Sequence, residues 1–147
     1  VYYYNMGLHN KLPQASYATP PHQDNFYWCR KPNIALTAYI ALTDQSKSNG
    51  GIGYLAASHK KKLHDHKKSN VAAFSSYIHD KKILNSTFDY PKLNIGDVVF
   101  HHSNIIHLAA PNSSATKDRK SVAITIYGDK TKLNLNIYKK YSKILKP

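Results

Sequence analysis

Two stretches of the chain alternate strictly. In residues 34–43 (IALTAYIALT), Ile34, Leu36, Ala38, Ile40 and Leu42 fall on one side, and Ala35, Thr37, Tyr39 and Ala41 on the other. In residues 119–128 (RKSVAITIYG), Lys120, Val122, Ile124 and Ile126 oppose Arg119, Ser121, Ala123 and Thr125. A period of two is that of a β-strand. In both strands one face is greasy and the other small, hydroxylated or polar, as in a barrel wall whose inner face lines a wet pocket. Residues 1–6 (VYYYNM) are also β-prone. Gly96-Asp97 turns into the strand VVFHH. Residues 103–104 then turn the chain back, which predicts a partner strand over 105–110 (IIHLAA). Residues 10–21, 44–51, 59–68 and 111–118 read as loops, and a short strand or helix is expected near 71–78. Ile137, Tyr138, Tyr141, Ile144 and Leu145 recur at helical spacing and predict a short amphipathic C-terminal helix with a lysine face. Many short strands between polar turns favour a mainly β fold, a sandwich or barrel, of which a double-sheet jelly roll manages its edges well. With no repeat and no linker, residues 1–147 read as one domain.

Residues 20–28 (PPHQDNFYW) read as an extended segment. There His22 and Asp24 project to one face and Gln23 turns away. An imidazole and a carboxylate, joined by a second histidine, make the facial triad that holds non-haem Fe(II) with open positions. Alone the pair says little, because nine His and eight acidic residues produce roughly half a His-x-Asp by chance. A second histidine has four candidates, His79, His101, His102 and His107. His107 is best placed, inside an apolar run where an unpartnered polar group is costly; the alternative is a satisfied core histidine. Arg119 begins the later alternating strand. If that strand pairs with the one carrying His107, its guanidinium is set to grip a carboxylate; the alternative is an exposed arginine at a strand end. Phe26, Tyr27 and Trp28 suit the core or a pocket wall.

The charge is lopsided. Of 21 basic side chains only Arg30 and Arg119 are arginine, all eight acids are Asp, and the net charge is +13. That leaves room for an anionic small-molecule substrate; the alternative is compositional drift, since Lys, Asn, Ile and Tyr are abundant together. The lysines are scattered and no nucleic-acid motif accompanies them, so nucleic acid is set aside as a partner. The basic, histidine-rich run 59–68 (HKKKLHDHKK) reads as a solvated loop. Cys29 is the sole cysteine, which excludes an intrachain disulfide and fits a reducing, cytoplasmic setting. No apolar run is long enough to span a bilayer. The chain starts at Val1 inside a strand-like stretch, which reads as a fragment lacking an upstream region. Nothing in the sequence sets the oligomeric state.

Four motifs, in order, carry a resemblance. PPHQDNFYW resembles the first metal motif of the phytanoyl-CoA dioxygenase family of Fe(II)/2-oxoglutarate oxygenases. SNGGIGYLAASHK resembles its glycine turn and strand, GDVVFHHSNIIH its strand ending in the distal histidine, and Arg119 its cosubstrate-binding arginine. The resemblance runs from about residue 5 to residue 128. It implies that His22, Asp24 and His107 hold Fe(II), that Arg119 holds the far carboxylate of 2-oxoglutarate, and that Tyr39 lies beside that cosubstrate. His102 matches a family histidine that is not a ligand. Ala109 stands where the family often has a serine, and the helical region that precedes the first motif in the family is absent. The implied reaction consumes dioxygen and hydroxylates a C–H bond of a small-molecule or acyl-type substrate, with succinate and CO2 as co-products. The alternative is a non-catalytic metal-binding jelly roll.

Overall fold

The computed structural model describes residues 1–14, 17–71 and 75–145. Strands dominate. In chain order they are β1 (Tyr2–Lys11), β2 (Thr19–His22), β3 (Arg30–Lys31), β4 (Ala35–Ala41), β5 (Ile52–Tyr54), β6 (His66–Lys68), β7 (Ser76–Ile78), β8 (Val98–His102), β9 (His107–Ala109), β10 (Arg119–Tyr127) and β11 (Lys132–Leu133). Helices α1 (Asp24–Trp28), α2 (Lys81–Leu84) and α3 (Leu135–Leu145) join them, with one 3-10 turn described at Ser58–Lys60. A four-stranded sheet runs β1-β10-β4-β8 and a three-stranded sheet β2-β9-β5. The two remaining ribbons are β6-β7 and β3-β11. All pairings are antiparallel. The two main sheets meet over Tyr39, Ala41, Ile52 and Leu93, with Tyr54, Val99 and Ala123 packed against them. This is the mainly β, cupin-like jelly roll expected, closed by the amphipathic C-terminal helix. No helix among the described residues is long and apolar enough to cross a membrane.

The alternating strands fall as their faces predict. Ala35, Thr37, Tyr39 and Ala41 of β4 are buried, as are Arg119, Ser121 and Thr125 of β10. The opposite side of the four-stranded sheet is a grid of apolar side chains set by register. Its rows are Met6, Ile124, Ala38 and Phe100, then Leu8, Val122, Ile40 and Val98. At the edges, Met6, Leu8 and Phe100 are 63%, 71% and 67% exposed. The sheet thus turns its polar face inward and leaves its greasy face outward.

Three expectations are corrected. The PPHQDNFYW segment is not one extended strand. β2 ends at His22, and Asp24 opens α1, which is capped by the following Cys29 in the left-handed region at φ 54. Aromatic residues favour strands, but here the tertiary setting prevails. The Asn25 N–H donates to the Ser103 carbonyl, and the Phe26 ring stacks on His66 at 4.0 Å between centroids. Second, β8 and β9 form no hairpin. Neither Ser103 nor Asn104 has the positive φ that a tight two-residue hairpin demands. The chain instead crosses between sheets, pinned by Ser103 N–H to the Ala35 carbonyl and Ile106 N–H to Ser58 Oγ. Third, β10 therefore does not adjoin the His107 strand. It lies between β1 and β4 in the opposite sheet. In addition β1 runs to Lys11 and β2 begins at Thr19, which shortens the expected 10–21 loop. Of the segment expected near 71–78, β7 supplies a strand, while residues 72–74 lie outside the described residues.

Candidate metal centre

His22 and His107 are direct cross-strand partners on β2 and β9. Such pairs point to one face, and the two rings lie 4.2 Å apart between centroids. Each ring is fixed in the same way. His22 Nδ1 lies 2.8 Å from the Pro20 carbonyl, and His107 Nδ1 lies 3.1 Å from the Ile105 carbonyl, in both cases two residues upstream. Facing a carbonyl, Nδ1 carries the proton and Nε2 keeps its lone pair for the site. Asp24 arrives from the start of α1 instead of from the strand. Its Oδ1 stands 3.7 Å from Nε2 of both histidines.

The donor atoms of His22, Asp24 and His107 all lie within 4.8 Å of one another, a group that could hold a metal ion. Two neutral imidazoles and one carboxylate on one side of a cavity match the donor set and open geometry of non-haem iron. The charge states suit it. Burial pulls both histidines below the usual imidazole value, His107 to about 3, so each is neutral. Burial pushes the Asp24 carboxyl upward, yet it is held below the usual carboxylate range, with the His101 ring beside its second oxygen.

A cavity of about 400 Å³ opens beside these groups. Arg119 and Tyr39 line it together with all three donors, so the structure brings every expected site residue to one space. Arg119 is 4% exposed. Its Nε donates to the Gly50 carbonyl at 3.0 Å and its Nη1 to Ser121 Oγ at 3.1 Å, which aims the guanidinium along the wall. Tyr39 donates its hydroxyl to Gln45 Oε1 at 2.8 Å. Thr19, Tyr27, Trp28 and Tyr141 form other parts of the wall.

Two basic residues near Arg119 escaped the sequence reading. Lys11 sits opposite Arg119 in the β1–β10 register and its Nζ donates to the carbonyls of Ala109 and Ala110. Burial and the Arg119 charge pull it down to about 8. His9 lines the cavity opposite Ser121. The signal was present: Asn5, Gly7, His9 and Lys11 recur at period two, alternating with Met6 and Leu8. Of the other histidines considered, His102 turns away toward His59, at 5.7 Å between rings, and Tyr77 and His79 pair with each other near the surface.

The sequence model of the phytanoyl-CoA dioxygenase (PhyH) family matches residues 2–121, and the chain belongs to that family. A curated relative, the "Probable alpha-ketoglutarate-dependent hypophosphite dioxygenase" of Stutzerimonas stutzeri, is 28% identical over 123 residues, covering 78% of this chain and 43% of its own. Among solved structures, the alpha-ketoglutarate-dependent carbocyclase SnoK from nogalamycin biosynthesis superposes with a TM-score of 0.73 at 23% identity, over 99% of this chain and 56% of its own. The epimerase SnoN, solved with Fe3+, alpha ketoglutarate and nogalamycin RO, gives 0.71 at 23% identity, over 88% and 50%. The chain therefore spans about half the length of the proteins it matches.

Proposed function

We propose that this chain carries the catalytic site of an Fe(II)- and 2-oxoglutarate-dependent dioxygenase that acts on a small molecule. The convergence of His22 Nε2, His107 Nε2 and Asp24 Oδ1 on one side of a cavity that also holds Arg119 supports this best. Family membership and the alpha-ketoglutarate dependence in the relative's name point the same way. His22, Asp24 and His107 would hold the iron and leave three positions open. Arg119 would pair with the far carboxylate of 2-oxoglutarate, with Tyr39 packing beside it. Bound iron supplies the activation of dioxygen, which the protein cannot do with side chains alone. The chain's own residues bind, orient and exclude water: Thr19, Tyr27, Trp28 and Tyr141 wall the cavity.

The net reaction we favour is hydroxylation. Substrate R–H, 2-oxoglutarate and O2 give R–OH, succinate and CO2, with one oxygen atom in the alcohol and the other in succinate. Asp24 matters here, because a retained carboxylate ligand leaves no extra position for a halide. The curated relative is named for hypophosphite, a small anion. Together with the +13 charge it supports a small, anionic substrate.

The test is anaerobic titration with Fe(II) and 2-oxoglutarate, watching for the visible iron-to-ketoacid band. A band that needs both reagents, vanishes in His107→Ala and weakens in Arg119→Ala is expected. No band in folded, iron-loaded protein would overturn the cosubstrate role and favour a metal-binding jelly roll without oxygenase activity.

A further inference from the structure

The two oxygens of Asp24 have different surroundings. Oδ1 faces the Nε2 atoms of His22 and His107. Oδ2 accepts a hydrogen bond from Thr37 Oγ1 at 3.0 Å and lies 3.4 Å from His101 Nε2. Thr37 and His101 are register partners on β4 and β8, so two neighbouring strands deliver their side chains to the same oxygen. His101 is 6% exposed, and its other nitrogen, Nδ1, lies 3.0 Å from the Tyr54 hydroxyl. The tautomer follows from the contacts. A bare Nε2 would set a lone pair against a carboxylate oxygen. Nε2 therefore carries the proton and Nδ1 accepts from Tyr54. Tyr54 is itself the register partner of His107 on β5. A chain of hydrogen bonds thus runs from one sheet, through Tyr54 and His101, to the carboxylate that α1 presents.

We propose that Tyr54 and His101, with Thr37, form a positioning device that reserves Oδ2 of Asp24 and leaves Oδ1 as the single oxygen offered to a metal. This rests on Asp24 being a ligand, as proposed above. A carboxylate free to swing would chelate through both oxygens and close one of the positions that a ketoacid and dioxygen need. With Oδ2 held by two donors from a rigid sheet, the one-oxygen mode is the only one that keeps every buried polar atom satisfied. His101 is thereby removed from the ligand set for which its burial made it a candidate: its Nε2 points to Oδ2, and it stands outside the three-residue donor group.

The experiment is anaerobic titration with Co(II), read by its visible spectrum and by affinity, on the parent chain and on His101→Phe, His101→Gln, Tyr54→Phe and Thr37→Val. Thermal melts in chelator report folding separately. The parent should bind one Co(II). His101→Phe should lose about tenfold or more in affinity and shift the visible band, as the carboxylate changes mode. Tyr54→Phe and Thr37→Val should move both readouts less and in the same direction, and His101→Gln, which keeps a donor, should restore most of the affinity. Parent binding with affinity and spectrum unchanged in His101→Phe overturns the proposal and leaves the metal site standing. If His101→Phe does not fold, unchanged readouts in both Tyr54→Phe and Thr37→Val overturn it equally. A parent chain that folds but binds neither Co(II) nor Fe(II) overturns the metal site and the proposal together.

Discussion

His66 shows how a single buried side chain makes stability depend on pH. Its ring stacks on Phe26, its Nε2 accepts from the Gln23 backbone N–H at 3.2 Å, and its Nδ1 faces the His64 carbonyl at 3.0 Å. Both nitrogens are committed in the neutral form, and a proton on Nε2 would turn its acceptor into a second donor. Burial accordingly pulls the ring down to about 3 from an ordinary 6.5. The sign follows. Below about 6.5 the unfolded chain takes up this proton and the folded chain does not, so stability falls with pH until the folded ring also titrates near 3. Above 6.5 the contribution is complete. Urea melts between pH 7 and pH 4 should show the loss, with this residue adding at most about 1.4 kcal/mol per pH unit. His66→Phe should flatten that part of the profile. Arg119 supplies a second residue-scale expectation. Lysine cannot donate to Gly50 and Ser121 while also forking a carboxylate. Arg119→Lys should therefore weaken 2-oxoglutarate binding at least tenfold, by isothermal titration of the Fe(II)- or Co(II)-loaded protein, with little change in metal affinity.

At the scale of elements, the turn between β2 and α1 matters most, because it sets Asp24 beside His22. Gln23 anchors it from the far side and is fully buried. Its Nε2 donates to the Asn104 carbonyl at 2.7 Å, and its Oε1 accepts the His64 N–H at 2.8 Å. Gln23→Ala would strand a half-buried donor and a half-buried acceptor, a loss of about 1–3 kcal/mol in chemical denaturation. The glycine turn ahead of β5 is constrained by space. A Cβ on Gly51 would sit 2.6 Å from the Ser46 carbonyl oxygen, which is backbone and cannot rotate aside. Gly51→Ala should cost on the order of 1–3 kcal/mol and should disturb Gly50, whose carbonyl orients Arg119. A matching rise in the 2-oxoglutarate dissociation constant would link that turn to the site.

The whole molecule is inverted relative to an ordinary half-buried sheet. The polar face of the four-stranded sheet looks into the cavity, while Met6, Leu8, Val98 and Phe100 lie on a broad apolar outer face. Contiguous apolar area of this kind promotes association. Met6→Lys with Phe100→Lys changes two outward side chains and none that lines the main cavity. The double variant should shift the chain toward monomer and lower dye binding to apolar surface, measured by light scattering and by fluorescence. Metal binding should be unchanged.

What each strand offers to either side was legible from local periodicity alone. Strict alternation in β4 and β10 assigned Thr37, Tyr39, Arg119, Ser121 and Thr125 to the inner face, because side-chain direction along a strand is a local property with period two. Motif order pointed to His22, Asp24 and His107 among nine histidines and eight acids, and these are the three side chains whose donor atoms the fold brings within 4.8 Å of one another. Partner choice was decided only in three dimensions. That β9 pairs with β2 and β5 instead of β8, and that β10 faces the His107 strand across a cavity, depends on contacts between residues far apart in the chain. The helical start at Asp24 was decided there too, by Ser103 and His66 gripping Asn25 and Phe26 against their local preference. The different surroundings of the two Asp24 oxygens belong to the same class: no spacing in the sequence places Thr37 and His101 on one carboxylate oxygen with Tyr54 behind His101, since each arrives on a different strand.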